Sequence, residues 1–158
     1  MSATEKAVSD EIAIRNLAAA YSDAVNRGSP DGMAAVYTED GVLSAFGAPD
    51  VVGQAALKAT FTKVIADHRW IFQMTHSGLV ELDGDTGWCR WWVSEHALRP
   101  DGGGTEFKGI YQDRVVRTVD GWRFARRLLQ AVYMGRTTFP GKTFERPAIE
   151  SRPPALIR

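Results

Sequence analysis

The sequence has few of the features that mark several large classes of protein. A single cysteine, Cys89, excludes an internal disulfide and suits a reducing compartment. The 19 lysines and arginines balance 19 aspartates and glutamates, so no net charge attracts nucleic acid or anionic lipid. No run approaches the ~18 continuous apolar residues of a membrane span, and residues 1–10 lack the apolar core of a targeting peptide. We therefore expect a cytoplasmic protein with no nucleic-acid or membrane partner.

Sequence motifs for metals, cofactors and activated nucleophiles are also missing. There is no Cys/His finger spacing, no His-Glu-x-x-His and no Gly-x-Ser-x-Gly elbow. The glycine run at 102–104 lies between two predicted strands, whereas a phosphate-binding loop precedes a helix. We therefore expect no metal and no cofactor.

The first half of the chain has the pattern of helices. Ser9 is a predicted N-cap, and Gly28 a predicted left-handed end for the same helix. Between them, apolar residues recur every three or four positions: Ile14, Leu17, Tyr21 and Val25. Ser29-Pro30 predicts the start of a short second helix, carrying Met33, Val36 and Tyr37. A turn at 39–41, a short strand at 42–46 and a third helix at 54–66 follow.

The second half has the pattern of strands. Segments 70–82, 87–99, 107–117 and 122–133 are rich in β-forming residues and are separated by Asp/Gly turns. Helices followed by strands predict an α+β domain in which helices pack on a curved antiparallel sheet and enclose an apolar pocket. We assign residues 1–137 to this domain and residues 138–158 to a proline-rich C-terminal tail, in which Phe139, Phe144 and Ile149 could dock.

Two histidines on the predicted strands are candidate acid–base groups, because histidine titrates near neutral pH. By alternation His96 shares a face with Trp88, Arg90, Trp92 and Ser94, and two tryptophans suggest that this face is covered. His76 shares a mostly apolar face with Phe72, Met74, Val80 and Leu82, and Gln73 has the opposite parity. A bulge, for which Gly78 is a permissive position, would let both residues enter one pocket. Which of Gln73 and His76 faces inward stays open.

Several other polar side chains could contact a ligand. Tyr21 could donate a hydrogen bond from the first helix, or it could be a core aromatic residue. Asn26 near the end of that helix could be a pocket residue or a cap. Tyr111 and Asp113 share a strand face, and Arg127 could hold an anion or an enolate. His68, in a loop, is interpreted as a surface residue, and Cys89 as an inert buried thiol.

Four segments give the chain its resemblance to a known family: residues 13–24, 36–42, 109–114 and 121–127. Their order resembles the SnoaL-like branch of the nuclear transport factor 2-like (cystatin-like) superfamily across residues 8–135. The resemblance implies a cone-shaped domain with a deep pocket, assembled as a homodimer or homotrimer. Scytalone dehydratase and hexachlorocyclohexane dehydrochlorinase are the members most alike in pattern.

The same resemblance implies which residues would act, and here the sequence departs from the pattern. Both of those enzymes use an Asp late in the first helix to hold a His on the first long strand, and that His removes a proton. Asn26 and Gln73 stand at the two positions, and neither side chain accepts a proton near pH 7. His96 matches the second histidine of the dehydratase pattern, and Arg127 matches the arginine of the dehalogenase pattern. Acid–base chemistry would therefore fall to His96 or His76.

These observations lead to one main functional prediction and two alternatives. The main prediction is a cofactor-independent lyase or isomerase, dehydratase- or cyclase-like, acting on a small cyclic or aromatic polyketide-like substrate. His96 or His76 would move the proton, and the predicted substrate-binding residues are Tyr21, Asn26, Gln73, Trp92, Tyr111, Asp113 and Arg127. The alternatives are a non-catalytic domain that binds a small hydrophobic or aromatic molecule, and a structural oligomer. Both faces of the predicted strand at 87–99 carry apolar side chains, with Trp91 and Val93 on one face and Trp92 on the other. Since only one face can pack on the core, we predict a homo-oligomer formed through the other sheet face.

Overall fold

A computed structural model describes residues 2–146, which form three helices and six strands. The elements in chain order are α1 Ala3–Arg27, α2 Pro30–Ala35, β1 Tyr37–Ala45, β2 Val51–Val52, α3 Gln54–Ala66, β3 Trp70–Asp83, β4 Thr86–Leu98, β5 Gly104–Thr118 and β6 Gly121–Thr137. None of the helices in this part of the chain is long and apolar enough to cross a membrane.

Helix α1 begins earlier than the sequence pattern predicts. The Ser2 hydroxyl accepts a hydrogen bond from the Glu5 backbone N–H (3.2 Å), and the Glu5 carboxylate accepts one from Ser2 N–H (2.6 Å). This capping box starts the helix at Ala3, so the prediction of Ser9 as the N-cap is wrong. The predicted end is confirmed, because Gly28 closes α1 with φ 64°.

The segment after α1 is partly as predicted. Ser29 caps α2 and Pro30 is its first residue, which confirms the predicted start. Tyr37 is not helical, however, and residues 39–41 do not form a free turn. Both belong to β1, which pairs in parallel with β6 and shifts register between Tyr37 and Val42. The Tyr37 ring is fully buried against Phe61 and Phe124, so tertiary packing determines the backbone here.

The strands form one curved, unclosed and mostly antiparallel sheet in the order β2-β1-β6-β5-β4-β3. Strands β3 to β6 make the predicted antiparallel meander. The helices cover the concave face, where the α1 stripe of Ile14, Leu17 and Tyr21 meets Leu57 and Phe61 of α3 in the core. The predicted α+β class is confirmed.

A bulge in β3 reverses which residues face the core. Thr75 pairs with Val93 but Gly78 pairs with Trp91, so residues 76 and 77 lie opposite the single residue Trp92. Gly78 is required because a Cβ there would lie 2.3 Å from the Arg90 carbonyl oxygen and from the Trp91 ring. Odd-numbered residues face inward before the bulge, and even-numbered ones after it.

Strand β4 presents its odd-numbered residues to the core. Trp91, Val93 and Ala97 are buried, whereas Trp88 is 62% exposed and Trp92 is 52% exposed. In the part of the chain that the structure describes, no helix or strand covers the face that carries Trp92 and His96, in contrast to the prediction. That face is the outer surface of the sheet.

The chain continues beyond the end of β6 at Thr137. Phe139 packs edge-on against Trp70, with ring centroids 4.8 Å apart, whereas Phe144 is largely exposed. Docking of Phe139 agrees with the sequence-based expectation. Ile149, also expected to dock, lies outside the described residues.

Candidate active site

A cavity of about 500 Å³ lies between α1, α3 and the concave face of the sheet. Its size suits a small organic molecule, and most of its wall is apolar. The apolar wall includes Val25, Met33, Leu43, Phe46, Phe61, Val64, Ile71, Phe107, Leu129 and Met134.

The polar side of the cavity is built around Gln73. Its Nε2 donates to Glu95 Oε2 (2.8 Å) and to the Tyr111 hydroxyl (3.1 Å), and its Oε1 accepts from Ser22 Oγ (3.2 Å). These bonds fix the orientation of the amide, with the nitrogen towards Glu95. Gln73 is buried and faces the cavity, which answers the question that the sequence left open.

Glu95 and Tyr21 complete this polar side, and burial changes both of their pKa values. Burial raises the pKa of the Glu95 carboxyl, and the hydrogen bond from Gln73 opposes this shift only in part. Burial likewise raises the pKa of Tyr21 to about 12. Tyr21 therefore stays protonated as a hydrogen-bond donor, whereas Glu95 can exchange a proton closer to neutral pH than an ordinary glutamate.

Asn26, predicted to bind substrate, is placed behind the cavity wall. Its Nδ2 donates to the Gln73 carbonyl oxygen (2.8 Å), and its Oδ1 accepts from the Gln73 backbone N–H (2.7 Å). The amide thus ties α1 to β3, and both of its polar ends are occupied. Asn26 positions Gln73 and does not line the cavity, which corrects the prediction.

Asp113 and Arg127 form an ion pair in the core. Arg127 Nε and Nη2 donate to the two Asp113 oxygens at 2.8 and 2.7 Å, and the side chains are 1% and 0% exposed. The guanidinium also lies 4.0 Å from the centre of the Tyr111 ring and 4.5 Å from that of Tyr21. Neither charged residue lines the cavity, in contrast to the predicted place of both in the pocket. Asp113 neutralises Arg127, and the pair supports the two tyrosines from beneath.

The three remaining predicted site residues lie on the outer face of the sheet. His76 Nε2 is 2.8 Å from Ser94 Oγ, and His96 lies 3.7 Å from a carboxylate oxygen of Glu106. Trp92 is half exposed beside His76. None of the three lines the cavity, because even-numbered residues of β4, and those of β3 before the bulge, point outward. The predicted placement of His76, His96 and Trp92 in the pocket is therefore wrong, whereas Tyr21, Gln73 and Tyr111 do line it.

Among the cavity residues that the sequence analysis did not select, Glu95 and His68 matter most for the chemistry. Glu95 lies on the same face of β4 as Trp91, Val93 and Ala97, which is the more apolar face of that strand. A carboxylate among apolar residues of one strand face was the sequence signal that could have indicated a functional group. His68 was interpreted as a surface residue, but its half-buried ring lines the cavity mouth. No periodic pattern could have placed it, since it lies in a loop between α3 and β3.

The residues of the cavity do not form a metal centre. Within residues 2–146, no three His, Cys, Asp or Glu side chains are grouped so that they could hold a metal ion. The polar side chains that line the cavity can transfer protons and can donate or accept hydrogen bonds.

Comparison with known proteins identifies the family. The sequence model of the SnoaL-like domain matches residues 6–128. The chain belongs to this family. One solved structure, 23% identical over 82% of this chain with a TM-score of 0.71, is described as a nuclear transport factor 2-like protein with a cystatin-like fold, which agrees with the sheet and helices above. No curated protein matches the chain significantly.

Solved structures with the same fold include three that are informative. A protein from Novosphingobium aromaticivorans, provisionally named an aromatic ring hydroxylase, is 29% identical over 82% of this chain and 94% of its own, with a TM-score of 0.78. A provisionally named scytalone dehydratase from the same organism is 20% identical over 92% and 99%, with a TM-score of 0.77. A type 2 hexachlorocyclohexane dehydrochlorinase is 16% identical over 94% and 100%, with a TM-score of 0.78. At these identities, the last two show likeness of fold only.

Proposed function

We propose that this protein is a cofactor-independent lyase or isomerase that acts on a small cyclic or aromatic, polyketide-like ketone, with Glu95 as the acid–base group. One observation carries the proposal: a partly buried carboxyl, held by Gln73, at the polar side of a mostly apolar cavity. A carboxylate in such surroundings is a stronger base than in water, and it can remove a proton from carbon.

The other polar groups of the cavity suit the same chemistry. Removing a proton next to a carbonyl group places negative charge on the carbonyl oxygen, and that charge needs hydrogen-bond donors. The Tyr21 hydroxyl can donate, because its pKa of about 12 keeps it protonated. Tyr111 accepts a hydrogen bond from Gln73, so its own hydroxyl hydrogen points to a different acceptor. The guanidinium of Arg127, paired with Asp113, packs beneath both rings and holds them in place without lining the cavity.

The family adds support of a coarser kind. Relatives with this fold carry the names of a dehydratase and a dehydrochlorinase, which are both eliminating enzymes. The proposal differs from the sequence-based prediction in its base, since Glu95 replaces the two histidines of the outer face. It keeps the predicted substrate class, which the aromatic and aliphatic wall of the cavity favours.

The experiment uses a substrate that reports on any carboxylate base in an apolar cavity. The base-catalysed ring opening of 5-nitrobenzisoxazole is followed by absorbance for the wild type and for Glu95→Gln. Glutamine keeps the shape of the side chain and its place beside Gln73 but cannot accept the proton. We expect Glu95→Gln to lower kcat/KM by about 100-fold or more, which is the usual contribution of a positioned base.

The alternative function is ligand binding without turnover, and Asn26 and Gln73 favour it because they occupy the positions of the family's Asp–His pair. An unchanged rate in Glu95→Gln would refute the catalytic proposal. Binding of 1-naphthol, a small aromatic probe, by a wild type that does not accelerate the ring opening would support the binding role instead.

A further inference from the structure

His68 is held at the mouth of the cavity in one tautomer. Its Nδ1 lies 2.8 Å from the Val64 carbonyl oxygen, near the end of α3. A carbonyl oxygen can only accept, so Nδ1 carries the hydrogen in the neutral ring and Nε2 has a free lone pair. The contact also satisfies one of the last carbonyls of the helix. Among residues 2–146, Nε2 has no hydrogen-bond partner.

His68 and Glu95 line the same cavity from different elements, His68 from the loop after α3 and Glu95 from β4. They do not hydrogen bond to each other, and each has its own fixed partner, Val64 or Gln73. They are close enough for a positive charge on the imidazole to lower the pKa of Glu95. A small molecule that fills the cavity can contact both groups, because both line it.

The other titratable and charged groups around Glu95 are few. Tyr21 on α1 and Tyr111 on β5 face the cavity, and Arg99 lies at its rim. His96 influences Glu95 only through its charge, from the opposite face of the sheet. Of these groups, only His68 combines a place in the cavity with a ring nitrogen that has a free lone pair.

We propose that His68 is the general acid of an elimination in which Glu95 is the base, so that the cavity is built to expel a poor oxygen leaving group from a β-hydroxy ketone. This inference rests on the proposed function and extends it from proton abstraction to elimination. It assigns a catalytic role to a residue that would otherwise be only a helix cap.

The proposed reaction balances without an added reagent. Glu95 takes the proton from the carbon next to the carbonyl, and the two electrons of that C–H bond form the carbon–carbon double bond. The bond between the β-carbon and oxygen breaks, and the oxygen takes a proton from the His68 imidazolium and leaves as water. Transfer of the proton from Glu95 to His68, directly or through that water, restores both groups.

The test compares two substrates that differ in their need for an acid. 5-Nitrobenzisoxazole releases a stabilised phenolate, which requires little protonation, whereas 4-hydroxy-4-phenylbutan-2-one must release hydroxide as water. The variant is His68→Asn, because the Asn Nδ2 can replace the His Nδ1 hydrogen bond to Val64 without offering a titratable group. Lys63→Gln is the matched control, since it removes an exposed cation from the last turn of the same helix.

We expect His68→Asn to lower kcat for the hydroxy ketone by about 100-fold and kcat for the benzisoxazole by less than about threefold, as loss of a general acid predicts. Lys63→Gln should leave both rates unchanged. If His68→Asn keeps the wild-type kcat for both substrates, the inference is overturned and Glu95 remains as the base. A wild type that turns over the benzisoxazole but not the hydroxy ketone would overturn it too. If Glu95→Gln keeps the wild-type kcat for both substrates, the proposed function is refuted instead.

A second measurement does not depend on turnover. Nitrogen-15 NMR of the wild type should show the neutral His68 ring with its hydrogen on Nδ1. Carbon-13 NMR of the Glu95 carboxyl should give a higher pKa in His68→Asn than in the wild type, because the neighbouring positive charge is gone. An Nε2–H tautomer, or the same Glu95 pKa in both proteins, would contradict the pairing.

Discussion

The buried ion pair between Asp113 and Arg127 makes a strong prediction about stability. Asp113→Asn keeps the shape of the side chain but removes the negative charge that neutralises a guanidinium only 1% exposed. It also weakens the two hydrogen bonds of 2.7 and 2.8 Å. Breaking one partner of a buried pair typically costs about 3–5 kcal/mol, and we expect a loss of that size in the free energy of unfolding.

The assay is equilibrium unfolding in urea followed by tryptophan fluorescence. Asp23→Asn is the control, because Asp23 pairs with Arg27 at a similar distance of 2.7 Å on the exposed surface of α1. That substitution should change stability by no more than about 0.5 kcal/mol. A double variant, Asp113→Leu with Arg127→Met, should recover most of the loss, since a well-packed apolar pair is often as stable as a buried ionic one.

The reasoning is refuted if Asp113→Asn unfolds within about 1 kcal/mol of the wild type, below the usual range for a broken buried pair. Such a result would mean that Arg127 finds water or another partner, and its role in a ligand site would have to be reconsidered. A loss confined to the single variant and repaired in the double variant would confirm that the pair is structural.

Four further predictions follow from the same structure. Glu95→Gln should be more stable than the wild type at about pH 8 and similar to it at about pH 4, as measured by urea unfolding. The sign follows from the raised pKa: the folded state binds this proton more tightly than the unfolded chain, and that stabilisation is lost as pH rises through the folded pKa. Asn26→Ala should cost about 1–3 kcal/mol in the same assay, because it leaves two β3 backbone groups without partners. His76→Ala and His96→Ala should each retain the ring-opening rate of the wild type, and a large loss in either would restore the histidine hypothesis. The predicted homo-oligomer, formed through the outer sheet face, should dissociate in Trp92→Glu by light scattering, whereas a monomeric wild type would exclude it.

Much of the fold follows from local patterns in the sequence. Helix α3 was predicted at its observed bounds, and the four long strands were predicted within a few residues. Gly28 and Ser29-Pro30 carry strong local signals, since a left-handed cap and a proline at the first helical position need no tertiary partner. Tyr37 was placed wrongly because the register of β1 depends on β6, which lies far away in the chain.

The site could be predicted only in part, because alternation shows two faces of a strand but not which one is inside. Strand β4 carries Trp91 on one face and Trp92 on the other, so its aromatic residues do not identify the core face. The choice made from the sequence put His96 inside, whereas the structure puts the opposite residue set, with Glu95, on the inner face. Strand β3 shows the same ambiguity, since its bulge changes parity between Gln73 and Val80.

The measurement that tests the central claim most directly is the pH dependence of kcat/KM for 5-nitrobenzisoxazole in the wild type. The account predicts a rate that rises with pH through one ionisation, with an apparent pKa above that of an ordinary glutamate, and no such rise in Glu95→Gln. A profile that persists unchanged in Glu95→Gln would contradict the account, because the base would then be a group other than the Glu95 carboxyl of the cavity.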